Sequence, residues 1–175
     1  MCNMPLTFMS ASTATREVIL LSSIFFIASM ASASGEIVFG DFVDTEIPSS
    51  HQGVEFLEEL FDQYKPDTVL THTLHDTHQD HRQVAWLSLS AFRNVSRLLA
   101  YETPRATGEF EPNYYVDISG FVKPKWDSLN CHLSQKKKRY LAYESMVNLA
   151  SFRGSQVNVH AAEAFELIRY VEKMQ

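Results

Sequence analysis

The chain has 175 residues, of which 45% are hydrophobic and 12% aromatic, a composition typical of one globular domain and not of a disordered segment. Its formal net charge of −6 disfavours a nucleic acid as the main partner, because binding to phosphates requires a basic surface. Two cysteines, Cys2 and Cys131, are too few for a disulfide framework and form no Cys-x-x-Cys pair. A reducing cytoplasm is therefore the simplest location for this chain.

The N-terminal part is strongly apolar and permits two interpretations. A short strand is expected around residues 5–9, and an apolar run then extends from Val18 to Ala28, just after Arg16. We interpret the run as a buried helix that begins at Arg16. The alternative is a signal peptide, since Ala31-Ser32-Ala33 imitates a cleavage site, and the protein would then be exported. The run is too short and too rich in serine to predict a membrane span.

Two strands and a helix are predicted before the centre of the chain. The stretch from Glu36 to Phe42 is expected to form a strand, with the loop that contains Asp41 and Asp44 after it. A capping box of Ser49 and Gln52 then predicts the start of a helix. The apolar face of that helix consists of Val54, Leu57, Phe61 and Tyr64, and the β-branched run from Thr68 to Thr73 predicts a short buried strand after Pro66.

The seven residues from Asp76 to Arg82 carry two histidines, two aspartates and an arginine, between that strand and a helix expected to begin near Asp80. Ligands of open α/β sheets collect at the carboxyl ends of strands, which is where this cluster falls. His78 and His81 are three residues apart, so both side chains can lie on one face of the first helical turn. The pattern suits a zinc site, in which Asp80 fixes a histidine tautomer or caps the helix; a solvated loop is the alternative. The neighbouring His72 and His75 are interpreted as a strand and a loop residue near the site, and not as ligands.

The second half of the chain continues to alternate between strands and helices. The predicted elements are a helix from Asp80 to Asn94 that packs Trp86, Leu87 and Phe92 on the sheet; a strand from Arg97 to Glu102; a loop from Thr103 to Pro112 at the substrate rim; an edge strand from Tyr114 to Ser119; helices at Lys123–Leu133 and Gln135–Leu149; and an amphipathic stretch from Ala161 to Val171 with Phe165, Ile168 and Val171 inward.

Several of these segments together resemble one family. His78-Gln79-Asp80-His81-Arg82 is similar to the second motif of the LmbE-like, PIG-L-type zinc-dependent N-deacetylases. Further segments follow in the order that the family shows: Gly40–Thr45, Tyr101-Glu102, Phe110-Glu111-Pro112, Tyr115–Ser119, Ser134-Gln135, Arg153-Gly154 and Ala162–Phe165. The resemblance covers about residues 36 to 166.

The resemblance implies an α/β, Rossmann-like fold with a mostly parallel sheet flanked by helices, and hydrolysis of an N-acetyl group on a glucosamine-type sugar. His81 corresponds to a zinc ligand, and His78 to the histidine that assists at the oxyanion or protonates the leaving amine. Asp80 would orient His81 or its neighbours. Arg16 and Asp44 correspond to residues that bind the substrate hydroxyls. The implied partner is a small-molecule sugar conjugate, with no nucleic acid and no membrane span, and a homo-oligomer stays open.

One departure from the family bears on activity. No His-Pro-Asp-Asp segment occurs among the 175 residues, so the strand–helix unit that supplies two zinc ligands and the general base is absent, and the Zn²⁺ site is incomplete. A truncated reading frame, a wrongly chosen start and a descendant without catalysis are the open explanations. We therefore expect weak zinc binding and little hydrolysis from these residues. A non-catalytic carbohydrate-binding domain of the same fold is the alternative function.

Overall fold

A computed structural model describes residues 7–11, 17–21, 37–40, 42, 45–49, 51–130 and 139–172. The described strands are β1 (Thr7–Ala11), β2 (Glu17–Leu21), β3 (Ile37–Phe39), β4 (Thr68–His72), β5 (Arg97–Tyr101), β6 (Tyr114–Asp117) and β7 (Ala162–Tyr170). The described helices are α1 (His51–Tyr64), α2 (Gln79–Ala91), α3 (Val122–Asn130) and α4 (Tyr143–Gln156), with a 3-10 turn at Arg139–Leu141. The predicted α/β class is confirmed.

The seven strands form one mixed sheet in the order β3-β1-β2-β4-β5-β7-β6. Only the central neighbours β2–β4 and β4–β5 are parallel, and the other four pairs are antiparallel. The predicted mostly parallel sheet is therefore wrong. The short connection between β1 and β2 gives part of the reason, because a parallel pair needs a crossover of about a dozen residues or more.

Alternating side chains of the central strands divide the hydrophobic core between the two faces of the sheet. Val69 and Leu98 join a cluster with Leu57 and Phe92, which lies under α1 and α2. The next residue of each strand points to the other face, where Leu70 and Leu99 pack with Tyr101 and Phe165. Helix α4 contributes Ala150 to a third cluster with Ile118 and Ala161. The central strands are thus buried on both faces.

Close approach of α1 and α2 depends on a glycine. A Cβ added to Gly53 would lie 2.8 Å from Cδ1 of Leu87, so a larger residue would push the two helices apart. A hydrogen bond of 2.8 Å between the hydroxyls of Thr71 and Ser88 also ties α2 to β4. These contacts hold α2 against α1 and β4, and the histidine cluster lies between the end of β4 and the start of α2.

Three predicted segments differ from the observed ones. Glu17–Leu21 is the strand β2 and not the start of a helix. Its apolar residues carry no periodicity that separates a buried strand from a buried helix. The helix expected at Gln135–Leu149 is observed at Tyr143–Gln156, and residues 131–138 lie outside the described part. The stretch from Ala161 forms the strand β7, in which Phe165 is buried but Ile168 is 41% exposed.

Trp86 is also placed differently from the prediction. Its side chain is 60% exposed on α2, whereas Leu87 and Phe92 are buried as expected. The difference follows from helical geometry, since residue 86 is out of phase with the buried positions Val84, Leu87 and Ala91. The edge position of β6 agrees with the prediction for Tyr114–Ser119. Among the described residues, the helices are too short or too polar to cross a lipid bilayer.

Candidate metal and catalytic site

The cluster begins where β4 ends and finishes in the first turn of α2. Strand β4 is buried along its whole length and carries His72 at its carboxyl end. Helix α2 begins at Gln79, with His78 as its N-cap in an extended conformation. The expected change from strand to helix at this point is confirmed. It brings four side chains, His72, Asp76, His78 and His81, to one corner of the molecule.

Asp76 and His81 form the centre of the site. Nδ1 of His81 lies 2.8 Å from Oδ2 of Asp76, and both side chains are almost fully buried. Oδ2 of Asp76 also accepts a hydrogen bond of 2.5 Å from the hydroxyl of Thr103, and Oδ1 accepts one of 2.7 Å from the amide of His78. Burial alone would raise the pKa of Asp76, but these hydrogen bonds from His81, Thr103 and His78 hold that pKa well below its ordinary value. Asp76 is therefore a carboxylate at neutral pH.

The two histidines of α2 lie on one face, as their spacing predicts. Their imidazole rings stack with centroids 4.6 Å apart and planes inclined by 17°. Nδ1 of His81 donates to the Asp76 carboxylate, so the lone pair of the neutral ring is on Nε2. Nδ1 of His78 accepts a hydrogen bond of 3.2 Å from the amide of Asp80, so the proton of its neutral ring is on Nε2. The two stacked rings thus have opposite tautomers in their neutral forms.

His72 forms the other side of the cluster. Its ring stacks on that of His81 with centroids 4.0 Å apart, and its Nε2 lies 2.9 Å from the hydroxyl of Tyr101. Burial, followed by the neighbouring His81, lowers the pKa of His72 well below its ordinary value, so the ring is neutral. Burial and the nearby Asp76 carboxylate raise the pKa of Tyr101. His72 lies near the site, as expected, but its contact with His81 is closer than the sequence indicated.

The carboxylate of Asp80 has a different partner from the one expected. Its Oδ2 accepts a hydrogen bond of 2.8 Å from the amide of Thr45, and the neighbouring Gln79 side chain donates to the carbonyl of Thr45 at 2.9 Å. Asp76, and not Asp80, contacts the ring of His81, whereas the amide of Asp80 binds the neighbouring His78, and the expected catalytic role of Asp80 stays a prediction. Asp80 is in the first turn of α2, where a negative charge is favourable, and it fixes the segment around Thr45 against the helix.

The two predicted substrate-binding residues, Arg16 and Asp44, lie outside the described residues. Thr45, the next residue in the chain, forms two hydrogen bonds to the start of α2. The expected roles of Arg16 and Asp44 stay predictions.

The described side chains fit one ligand of a metal ion, but not a complete set. Nδ1 of His81 is held by a buried carboxylate, which is the usual arrangement of an imidazole that binds a metal through Nε2. Ligand atoms of His72, Asp76 and His81 do lie within 4.8 Å of one another. However, Oδ2 of Asp76 already accepts two hydrogen bonds, and Nε2 of His72 already contacts Tyr101. A catalytic zinc ion usually has three protein ligands, so residues beyond the described ones would have to complete it.

Sequence analysis gave no role to Asp76, Thr103 and Tyr101. Asp76 belongs to the predicted cluster, but its three hydrogen bonds become visible only in the folded chain. Thr103 is 27 residues from Asp76, and Tyr101 is 29 residues from His72, so no local pattern connects them. The register of β4 and β5 could have suggested the second pair, since His72 and Tyr101 are directly paired residues of these parallel strands.

Comparisons with known proteins agree on the fold. No family model matches the sequence, and no curated protein matches it significantly. Among solved structures, a conserved protein from Thermus thermophilus is similar with a TM-score of 0.67 and 20% identity over 76% of this chain and 65% of that one. GalB, the 4-carboxy-2-hydroxymuconate hydratase from Pseudomonas putida, has a TM-score of 0.59 and 20% identity over 74% of this chain and 66% of that one.

A third similar structure is N,N'-diacetylchitobiose deacetylase from Pyrococcus horikoshii, with a TM-score of 0.59 and 22% identity over 73% of this chain and 55% of that one. The chain has the fold of these proteins, and the expected resemblance to the deacetylases is confirmed at the level of the fold. The 175-residue chain spans between 55% and 66% of the length of these three similar chains. Since a deacetylase and a hydratase share this fold, the fold alone does not select the reaction.

Proposed function

We propose that the histidine cluster is part of the active site of a metal-dependent N-deacetylase, which releases acetate from an N-acetylglucosamine-type sugar conjugate. The observation that carries this proposal is the pair of complementary tautomers. His81 presents a nitrogen lone pair backed by the Asp76 carboxylate, and the stacked His78 presents an N–H donor. Hydrolysis of an amide requires both functions within one small volume.

His81 would hold the metal ion through Nε2, with Asp76 as the acceptor that keeps the ring in this tautomer. Zinc held there would supply Lewis-acid chemistry at the amide carbonyl and would activate water near neutral pH. The low pKa of Asp76 keeps that residue ionised, so it supports His81 at all pH values near neutrality. Thr103 and the amide of His78 fix the carboxylate itself.

His78 would assist at the reacting amide. Its Nε2–H would donate to the oxygen that becomes negative when water adds to the carbonyl carbon, and the proton that the water releases would pass to the amine as the carbon–nitrogen bond breaks. The products are acetate and the free amino sugar. The N-cap position of His78 defines the orientation of its ring, because the Asp80 amide binds the opposite nitrogen.

Hydrolysis by the 175-residue chain is expected to be slow, because the sequence contains no His-Pro-Asp-Asp, the motif that the family resemblance implies as the source of two metal ligands and the general base. The test is acetate release from N-acetylglucosamine conjugates by the recombinant chain, with and without added zinc. The proposal expects slow, zinc-dependent release that is lost in His81→Ala and His78→Ala. Release that persists in both variants would contradict it.

Two other outcomes would assign a different function. Sugar binding with no release of acetate under any metal condition would support the non-catalytic carbohydrate-binding domain. Addition of water to the carbon–carbon double bond of an unsaturated tricarboxylate, without acetate release, would support a hydratase, the activity named for the similar Pseudomonas putida structure.

A further inference from the structure

A cavity separate from the histidine cluster lies on the opposite side of β5 from helix α2. Helices α3 and α4 cover it, and strands β5 and β7 form its floor. Its volume is about 200 Å³. The apolar part of its lining consists of Leu129, Met146, Leu149, Ala150 and Phe165. For scale, an engineered apolar cavity of about 150 Å³ binds benzene.

Two ion pairs form the polar part of the wall. The guanidinium of Arg153 binds the carboxylate of Glu102 through two hydrogen bonds of 2.8 and 2.5 Å, and both side chains are 13% exposed. The ammonium of Lys125 binds Oε1 of Glu163 at 2.8 Å, with the two side chains 18% and 8% exposed. Each cation is thus matched by one carboxylate, so the wall has no net charge. Such a wall favours a neutral group, because an additional charge would be desolvated without a partner.

The end of β5 connects this cavity to the histidine cluster. Tyr101 lines the cavity, and its hydroxyl lies 2.9 Å from Nε2 of His72 in the cluster. Glu102 follows with its carboxylate on Arg153, and Thr103 then donates to Asp76. The consecutive residues Tyr101, Glu102 and Thr103 therefore connect the cavity to the histidine cluster. A molecule held in the cavity would lie one side chain away from the cluster.

We propose that this cavity binds a neutral, apolar group of the substrate conjugate, an alkyl or aryl aglycone of about six to eight carbon atoms. The inference rests on the proposed deacetylase function for the role of the ligand, but the binding site itself is defined by the cavity alone. The apolar floor provides the affinity, and the paired charges at the wall discriminate against charged aglycones.

Two glycosides that differ only in the aglycone test the proposal by binding. The hexyl and the methyl β-glycosides of N-acetylglucosamine are titrated into the full chain, and affinity is measured by calorimetry or by NMR shifts. The hexyl compound is expected to bind at least about tenfold more tightly, because its additional methylene groups leave water. Equal affinities of the two compounds would overturn the proposal.

Two tryptophan variants on α4 test whether the hexyl group binds in this cavity. Leu149→Trp fills the cavity and should remove the preference for the hexyl compound, whereas Asn148→Trp, at the exposed neighbouring position, should keep it. A preference that survives in Leu149→Trp places the hexyl group elsewhere and overturns the proposal. Leu129→Trp fills the same cavity from α3 and replaces Leu149→Trp if that variant does not fold.

The binding assay separates this proposal from the proposed function. If the chain releases acetate but binds both glycosides equally, the cavity proposal fails and the deacetylase proposal stands. If the chain prefers the hexyl glycoside but releases no acetate, the cavity is a binding site and the deacetylase proposal fails.

Discussion

Asp76 accepts a hydrogen bond from His81 at 2.8 Å within the buried centre of the cluster, although the two residues are five positions apart on different sides of the helix start. Three donors, from His81, Thr103 and the amide of His78, surround this one carboxylate. The arrangement gives His81 a defined tautomer and ring orientation. It also makes Asp76 the positioning residue on which the proposed metal site depends.

The first prediction concerns this carboxylate. Asp76→Asn keeps the shape of the side chain but removes its charge, so the Nδ1–H of His81 loses its strong acceptor. Zinc affinity of the chain, measured by competition with a chromogenic chelator, should fall by about 10- to 100-fold. Asp80→Asn is the matched control, because Asp80 binds the amide of Thr45 and should leave zinc affinity within about threefold of wild type.

A double-mutant cycle shows whether Asp76 acts through His81. In a His81→Ala background the additional Asp76→Asn change should have no further effect on zinc affinity, because the imidazole that the carboxylate orients is gone. Circular dichroism spectra of all four proteins check that each variant folds. Equal losses from Asp76→Asn in both backgrounds would show that Asp76 binds the metal directly or serves only the fold.

The second prediction concerns His78. Because its Nε2–H is the proposed donor to the oxyanion, His78→Ala should lower kcat of acetate release by about 10²- to 10³-fold with little change in zinc affinity. His75→Ala is the control, since His75 lies in the loop before the helix and pairs with Glu109 at a distance of 3.4 Å on the surface. A loss of zinc from His78→Ala, with the activity per bound metal unchanged, would instead identify His78 as a ligand.

The third prediction separates the metal from the fold. Treatment with a chelator should abolish acetate release, and added zinc should restore it. The thermal unfolding midpoint should change little on chelation, because the described cluster is held by protein–protein hydrogen bonds such as that between Asp76 and Thr103. A chelator that unfolds the chain would show that the metal has a structural role.

The sequence predicted the local elements of this site better than the contacts between its side chains. The β-branched run at β4 and the helical spacing after Asp80 located the strand, the helix and the stacked His78 and His81. The partners of these residues come from distant segments, and Thr103 and Tyr101 reach the cluster only because β5 pairs with β4. Pairing between strands is a property of the fold, so no local periodicity could assign those roles.

The misassigned element at residues 17–21 has a physical cause. Its apolar sequence suits a buried helix and a buried strand equally, and pairing with β1 and β4 decides its extended state. The intrinsic strand propensity of a segment is a weak guide to its structure, because packing and position in the sheet have a larger effect. The antiparallel pairing of β7 with both β5 and β6 likewise follows from tertiary contacts that the alternation of predicted elements did not indicate.

The last prediction concerns the packing of α4, which forms one wall of the cavity between α3, α4 and the sheet. A Cβ at Gly154 would lie 2.6 Å from the carbonyl oxygen of Val159 and 2.8 Å from the amide nitrogen of Ala161. Both are backbone atoms, so Gly154→Ala forces the segment that leads into β7 away from the helix, and we expect a loss of about 1–3 kcal/mol in the free energy of unfolding.

Gly108→Ala is the control, because no atom lies within 4 Å of its added Cβ. Its free energy of unfolding, measured in urea, should stay within about 0.5 kcal/mol of wild type. If both variants unfold at the same urea concentration as wild type, the end of α4 can move away from β7, and the cavity wall is less rigid than its backbone contacts indicate.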